Sequence, residues 1–208
     1  MDIKKIDDGL FRLYVPFEEL KTAVFFVTNS DGTVIIDSAT YPTDADRYII
    51  PALDGLGIDR SSVRYIALTH RHSDHAGGVS RLSELLPMAE VRSPEPVDLP
   101  EYVPINDGEL LLGRLRAVEL SGHTKHCFGY LDEQSRTLLS GDCLQLRGIG
   151  KYTNGVRYPE LYRRSVENVR NMGLKRIVAS HEYDPLGSIA QGRAEIEKYL
   201  DECIAVLL

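Results

Sequence analysis

Val63-Arg-Tyr-Ile-Ala-Leu-Thr-His70-Arg-His72-Ser-Asp74-His75 is an apolar run that leads into a cluster of histidines. The apolar part has the length and composition of a buried strand, and the six residues after it hold three of the chain's six histidines. In an extended or turning backbone, residues two apart point to the same side, so His70 and His72 can converge while Asp74 and His75 turn towards a neighbouring point. Imidazole suits zinc, iron or manganese, and a carboxylate beside it does not exclude zinc. The segment therefore predicts two adjacent cations at the end of a strand.

Three later segments repeat this arrangement of an apolar strand followed by a side chain that can bind a metal. The strands and their candidate ligands are 115–120 with His123, 137–140 with Asp142, and 176–180 with His181. Open sheets commonly present their chemistry at the carboxyl ends of strands. Because four residues on one loop cannot surround two metals, we expect these three side chains to complete the ligand set.

Together these segments resemble the metallo-β-lactamase superfamily. The similarity rests on Thr69-His-Arg-His-Ser-Asp-His75, Gly122-His123, Gly141-Asp142 and Ser180-His181, and it covers most of the chain. It implies an α/β fold, the four-layer αββα sandwich, in which two sheets pack face to face with helices outside and the metals at one edge. It also implies a single metallo-β-lactamase-like domain over residues 1–208.

The same resemblance implies a role for each candidate ligand. It assigns His70, His72 and His123 to the first metal, Asp74, His75 and His181 to the second, and Asp142 to both. Two divalent ions, most simply zinc, with iron or manganese as alternatives, would hold a shared hydroxide as the nucleophile. Asp74 is also the predicted catalytic residue, because it could orient this hydroxide or pass its proton to the leaving group.

The composition is that of an ordinary globular protein. The chain has 208 residues, 43% of them apolar and 26% charged, which fits one domain. No apolar run is long enough to span a membrane, and the first eight residues lack the apolar stretch of a signal peptide, so we expect a cytoplasmic protein without a membrane partner. The net charge of -7 argues against a nucleic-acid partner and favours a small-molecule substrate, and the sequence specifies no oligomeric state.

The stretch from Arg147 to Arg164 differs from this acidic average, with five cationic side chains against the single acid Glu160. It begins just after Asp142, so it could attract an anionic substrate to the metals. A solvated face that balances acids elsewhere is an equal alternative. If the first interpretation holds, the predicted substrate contacts are Arg147, Tyr152, Arg157 and Tyr183.

The three cysteines, Cys127, Cys143 and Cys203, are odd in number and widely spaced, which indicates neither a disulfide framework nor a thiolate zinc site. We expect reduced thiols. Cys143 adjoins Asp142, and we interpret it as a small buried side chain in preference to a ligand.

Two other polar residues near the ligands have alternative interpretations. His126 is expected to be structural, and the alternative is a contact to a ligand or to the substrate. Asp37 resembles an aspartate that often sits near the metals in this family, but a turn or cap role is as good an interpretation. Gly77 and Gly78 are expected to let the ligand loop pass tightly into the next helix.

Apolar periodicity predicts the surrounding elements. Strands are expected over 10–15, 23–27 and 33–36, with a hairpin at Asn29-Ser-Asp-Gly32. Helices are expected over 43–56 (weakened by Pro51), 79–86 and 159–172, and at the C-terminus, where Ile196, Leu200, Ile204 and Leu207 form an apolar stripe. Irregular loops are expected over 93–104 and 145–158, and the second is the better candidate to border the site.

Three features are similar to the glyoxalase II branch: the ligand loop through Gly78, Ser140-Gly-Asp-Cys-Leu144, and Ser180-His-Glu-Tyr183. Few residues follow His181, so we expect no counterpart of the helical C-terminal domain of that branch. The prediction is a metal-dependent hydrolase of a small ester, thioester or lactone. Two alternatives stay open: a mononuclear iron persulfide dioxygenase, and a non-catalytic binding module stabilised by metal.

Overall fold

The computed structural model describes residues 2–208 of the chain. They form two compact units, the first comprising residues 2–105 and 110–113, and the second residues 106–109 and 114–208. Within residues 2–208, no helix combines the length and the apolar character that crossing a membrane requires.

The first unit is built on a seven-stranded mixed sheet, whose strands follow one another in chain order. The first four are antiparallel neighbours, and the remaining pairs are parallel. The strands of this sheet are β1 Asp2–Asp7, β2 Leu10–Phe17, β3 Leu20–Asn29, β4 Gly32–Ile36, β5 Val63–Ala67, β6 Glu90–Ser93 and β7 Val103–Pro104. The short strand β8 Leu110–Leu111 also belongs to this unit and lies outside that sheet.

The predicted hairpin is confirmed, because Asn29 pairs with Gly32 across a two-residue turn. The strands predicted near 10–15, 23–27 and 33–36 are present and longer. β1 was not predicted. Its sequence, Asp-Ile-Lys-Lys-Ile-Asp, is mostly charged, and charged side chains are common on an edge strand because they discourage pairing with other chains.

Helical segments of the first unit pack on its sheet. They are α1 Pro42–Asp44, a π-helical turn Ala45–Ile49, α2 Ile50–Gly55, a 3-10 turn Arg60–Ser62, α3 Ser73–Ala76 and α4 Val79–Leu85. The helix predicted over 43–56 is therefore present but interrupted. Pro51 has no N–H to donate to the carbonyl four residues earlier, and the π-helical turn ends two residues before it. Ile49 and Leu53 from this segment join Phe26 and Ile66 from the sheet in one apolar core.

The second unit contains a mixed sheet in the order β15-β14-β11-β10-β9 and a small hairpin of β12 and β13. Its strands are β9 Leu115–Glu119, β10 Phe128–Asp132, β11 Thr137–Gly141, β12 Gly148–Ile149, β13 Tyr152–Thr153, β14 Arg176–Tyr183 and β15 Gly187–Gln191. β11 and β14 are parallel, whereas the other pairs are antiparallel.

Two long helices cover this sheet, α5 Pro159–Arg170 and α6 Arg193–Ala205. Pro159 occupies the first turn of α5, as predicted, because that turn needs no donated N–H from it. Buried residues of both helices, including Tyr162 and Leu200, pack into the core of this unit. The predicted loop 93–104 begins at the last residue of β6 and carries β7 at its end, and the predicted loop 145–158 contains the β12–β13 hairpin.

Candidate metal centre

The ligand loop of the first unit leaves the sheet at the end of β5. His72 is the N-terminal cap of α3, so Asp74 and His75 lie on a helical turn rather than on extended backbone. The N–H of His75 donates to the carbonyl of His72 at 3.0 Å. The ring centroids of His70 and His72 are 4.6 Å apart, and those of His70 and His75 are 4.2 Å apart. These four side chains form a cluster that we call the β5 ligand cluster.

Asp37, at the end of β4, holds the ring of His75. Its Oδ2 lies 2.7 Å from Nδ1 of His75, and its Oδ1 accepts the backbone N–H of Thr69 at 2.8 Å. Burial raises the pKa of the Asp37 carboxyl, and the contacts with His75 and Thr69 oppose part of that rise. Because Nδ1 faces the carboxylate, Nε2 of His75 is directed at Asp74, 3.4 Å from its Oδ2. Of the two interpretations of Asp37, the structure supports the role beside the candidate metal ligands.

The backbone after His75 passes other chain segments too closely for a side chain. A Cβ on Gly77 would lie 1.9 Å from the carbonyl oxygen of Thr40, and a Cβ on Gly78 would lie 2.2 Å from that of Ser38. The prediction that these glycines permit a tight passage is confirmed. The close approach also fixes the α3 turn that carries Asp74 and His75.

The second unit brings His123, Asp142 and His181 together. All three are buried, and the carboxylate lies between the two imidazoles. Nε2 of His181 is 3.3 Å from Oδ1 of Asp142, and Nε2 of His123 is 3.7 Å from Oδ2. We call these three side chains the β11 ligand cluster. One detail of the sequence interpretation is corrected: His181 lies within β14 and not after it, where the pairing with β15 is irregular between Val178 and Tyr183.

Gln145 and Gly155 hold the ring of His123 from its other side. Nδ1 of His123 is 2.9 Å from the carbonyl oxygen of Gly155 and 2.8 Å from Nε2 of Gln145. Gln145 is itself fixed, since its backbone N–H donates to the hydroxyl of Tyr162 at 2.9 Å. The sequence alone does not reveal this role for Gln145, because a glutamine three residues after a candidate ligand has no motif that distinguishes it.

The donor sets fit a divalent cation. All seven predicted ligands lie in clusters of histidine and carboxylate groups that could hold a metal ion. A zinc ion bound tetrahedrally at about 2.0–2.2 Å places its nitrogen and oxygen ligands about 3.4 Å apart. The separations of 3.4 Å in the β5 ligand cluster and 3.3 Å in the β11 ligand cluster agree with that value. Each of these imidazoles also has its Nε2 directed at the carboxylate, which is the orientation that a shared ion requires.

The predicted substrate contacts occupy different environments in the second unit. Arg147 is exposed and forms an ion pair with Glu202 of α6 at 3.5 Å. Tyr152 and Arg157 are exposed, whereas Tyr183 is buried in the core with its ring edge-on to His181. The role of these four residues in binding a substrate stays a prediction.

His126 and the three cysteines also lie in the second unit. His126 is exposed, two residues beyond the buried Thr124, whose hydroxyl donates to the His126 carbonyl at 3.0 Å. The three cysteines are buried, as predicted for Cys143, and Cys143 lies against Cys127.

Comparison with known proteins identifies a family that this chain resembles. The family model of the metallo-β-lactamase superfamily matches residues 18–113. A hydroxyacylglutathione hydrolase of Prochlorococcus marinus (strain MIT 9312) is 32% identical over 160 residues, which are 73% of this chain and 61% of that protein. A β-lactamase-like protein 2 homolog of Caenorhabditis elegans is 23% identical over 192 residues, 86% of this chain and 63% of that protein. The chain thus spans about three fifths of the length of these curated relatives.

Solved structures extend the similarity to nearly the whole chain. A metallo-β-lactamase from Pontibacter korlensis has a TM-score of 0.75 at 16% identity, covering 99% of this chain and 98% of that one. A metallo-β-lactamase family protein from Thermus thermophilus has a TM-score of 0.72 at 19% identity, covering 97% of this chain and 80% of that one. At such identities the likeness shows the fold, and the predicted metallo-β-lactamase fold is confirmed. The family-model match over residues 18–113 and the similarity to curated hydroxyacylglutathione hydrolases place the chain in the metallo-β-lactamase superfamily.

Proposed function

We propose that this protein is a metal-dependent hydrolase that cleaves a small ester, thioester or lactone. Asp142 carries the proposal: one of its carboxylate oxygens faces His123 and the other faces His181, at 3.7 and 3.3 Å. A carboxylate that faces a separate imidazole on each side is suited to bridging two ions. The relatives named hydroxyacylglutathione hydrolase support a hydrolytic reaction, and a thioester is the first substrate class to test.

The proposed ligand assignment uses both clusters. In this assignment His70, His72 and His123 would hold the first metal, Asp74, His75 and His181 would hold the second, and Asp142 would be shared by both. Zinc is the preferred ion because four or five nitrogen and oxygen ligands suit it, and iron or manganese would accept the same donors. When bound, two such ions supply a Lewis acid for the substrate carbonyl and lower the pKa of bound water towards about 7.

The protein's own groups orient these ligands and move the proton. Asp37 keeps Nε2 of His75 directed at the site, and the carbonyl of Gly155, which accepts from Nδ1, does the same for His123. Asp74 is 13% exposed, so its carboxylate can reach a water molecule or a leaving group. We assign Asp74 the task of holding the proton of the attacking water at a carboxylate oxygen and delivering it to the leaving group.

The substrate is proposed to carry a carboxylate or phosphate. The exposed side chains of Arg147 and Arg157 lie in the segment that follows Asp142, and guanidinium groups bind such anions in two-pronged geometry. A small metabolite inside the cytoplasm is consistent with this proposal.

Elemental analysis and a substrate panel test the proposal. We expect two metal ions per chain and hydrolysis of at least one member of a panel of nitrophenyl esters, lactones and thioesters. His72→Ala should lower both metal content and activity, whereas His126→Ala, which removes an exposed histidine close to His123 in sequence, should change neither. One iron per chain with persulfide oxidation would support the dioxygenase alternative, and full activity in His72→Ala would contradict the mechanism. Bound metal with no activity on any substrate class would favour the binding module.

A further inference from the structure

We propose that Cys127 and Cys143 form a reversible disulfide, a redox modification site that is independent of the hydrolytic reaction. Both thiols are fully buried in the second unit. Their Sγ atoms lie 2.6 Å apart, so each side chain points directly at the other. A disulfide requires this mutual orientation of the two Cβ–Sγ bonds.

The sheet holds the two cysteines in place. Cys127 directly precedes β10, and its carbonyl accepts the N–H of Leu120 at 2.7 Å. Cys143 follows β11, and its N–H donates to the carbonyl of Ser140 at 3.0 Å. β10 and β11 are antiparallel neighbours in which Tyr130 pairs with Leu139, and this register, continued towards the strand ends, places Cys127 opposite Asp142, the residue before Cys143. The bond can therefore form with little movement of the backbone.

The oxidant class we name is hydrogen peroxide, because a molecule little larger than water can reach thiols that burial hides from bulky disulfides. One cysteine sulfur attacks a peroxide oxygen, which breaks the O–O bond and gives a sulfenic acid and one water. The second cysteine sulfur then attacks the sulfenic sulfur, which forms the S–S bond and releases the second water. Two thiols thereby lose two electrons and two protons, and one peroxide becomes two water molecules. A dithiol reductant reverses the reaction by thiol–disulfide exchange.

The position of the pair gives the bond a structural consequence. Cys143 adjoins Asp142, and Cys127 lies four residues after His123, so the disulfide would link the two segments that carry these residues. A cross-link that closes a loop stabilises the folded state by restricting the unfolded chain. The oxidised protein should therefore unfold at a higher temperature than the reduced protein.

Cys203 provides a matched control within the same chain. It is buried in the same unit, but its side chain is hydrogen-bonded to Tyr162. The partner of Cys203 is thus a hydroxyl, whereas the partner of Cys127 is the sulfur of Cys143. Cys203 should stay a thiol while the other two are oxidised.

Peptide mapping of the full-length protein tests the proposal. Cleavage after lysine and arginine places Cys127 in peptide 126–136, Cys143 in peptide 137–147 and Cys203 in peptide 199–208. After treatment with hydrogen peroxide and blocking of remaining thiols, we expect peptides 126–136 and 137–147 joined without reductant and separated by dithiothreitol. Peptide 199–208 should carry the blocking group, and Cys203→Ala should leave the cross-link intact.

Cys127→Ala or Cys143→Ala should abolish the cross-link and the rise in Tm. If either variant fails to fold, the map of the unaltered protein decides alone. The proposal is overturned if peroxide leaves both thiols unreacted, oxidises them separately to sulfinic acid, or joins either of them to Cys203.

Discussion

Replacing Asp37 with asparagine tests whether this carboxylate prepares His75 for a metal. Asp37 has a φ of +64°, a conformation that asparagine tolerates better than most residues, so Asp37→Asn should leave the backbone in place. Asp37 uses both carboxylate oxygens, Oδ2 towards Nδ1 of His75 and Oδ1 towards the N–H of Thr69. Asparagine has only one acceptor oxygen and cannot serve both.

The expected loss of metal affinity depends on which of these two hydrogen bonds the asparagine keeps. If the new amide oxygen accepts the Thr69 N–H, the new amide NH2 faces Nδ1 of His75. This arrangement favours the His75 tautomer that carries the ring proton on Nε2. That nitrogen is the one directed at Asp74, so a metal must first displace the proton. Loss of such a supporting group typically weakens metal binding by about 10- to 100-fold. This factor corresponds to about 1.4–2.8 kcal/mol.

The metal-free protein should be affected less. An unsatisfied buried donor costs about 1–3 kcal/mol. Part of that cost is offset, because burying the charged carboxylate of Asp37 is itself unfavourable, as the raised pKa of this carboxyl indicates. The neutral amide of asparagine carries no charge to bury. A selective loss of metal affinity, and not a general loss of stability, is the expected signature.

Competition with a chelator measures zinc affinity, and urea denaturation of the metal-free protein measures stability. Asp46→Asn is the matched control, because Asp46 is an exposed acid of the same unit whose partner is Arg81. It should leave zinc affinity unchanged. Unchanged zinc affinity in folded Asp37→Asn protein would refute the role assigned to Asp37.

Three further predictions concern other parts of the molecule. Burial alone would raise the pKa of Asp132, but hydrogen bonds, chiefly from the Arg114 guanidinium at 2.8 Å, outweigh it and hold the pKa below its usual value. Asp132→Asn should thus cost about 3–5 kcal/mol near neutral pH. Denaturation curves should show this difference in stability shrinking as the pH falls below about 3.9, the pKa of aspartate in an unfolded chain, and then through the lower pKa of Asp132 in the folded protein. Gly77→Ala should prevent stable folding, because the new Cβ would lie 1.9 Å from a carbonyl oxygen, and thermal melts should show no cooperative unfolding transition. Gly55→Ala is the control: the new Cβ would meet nothing within 4 Å, so this variant should stabilise its helix by about 0.5–1 kcal/mol. Arg157→Ala should raise the KM of an anionic ester and leave that of a neutral ester unchanged; equal effects on both would contradict anion recognition.

The amino-acid sequence by itself determined the fold class and which side chains are candidate ligands. Apolar strands and the residues that follow them are local features, since strand periodicity and the ligand type at a strand end can be recognised within about ten residues of chain. The loop around His70, the hairpin at Asn29 and the start of α5 at Pro159 were predictable for this reason.

Only the tertiary structure decided what supports those ligands. Asp37 meets His75 across 38 positions of sequence, and Gln145 meets His123 across 22, so no local pattern connects either pair. The same holds for the two sulfurs of Cys127 and Cys143, which strand pairing brings together. Hydrogen bonds and packing between distant segments form only when the chain closes on itself, and they depend on register and burial, which the residue pattern along the chain does not contain.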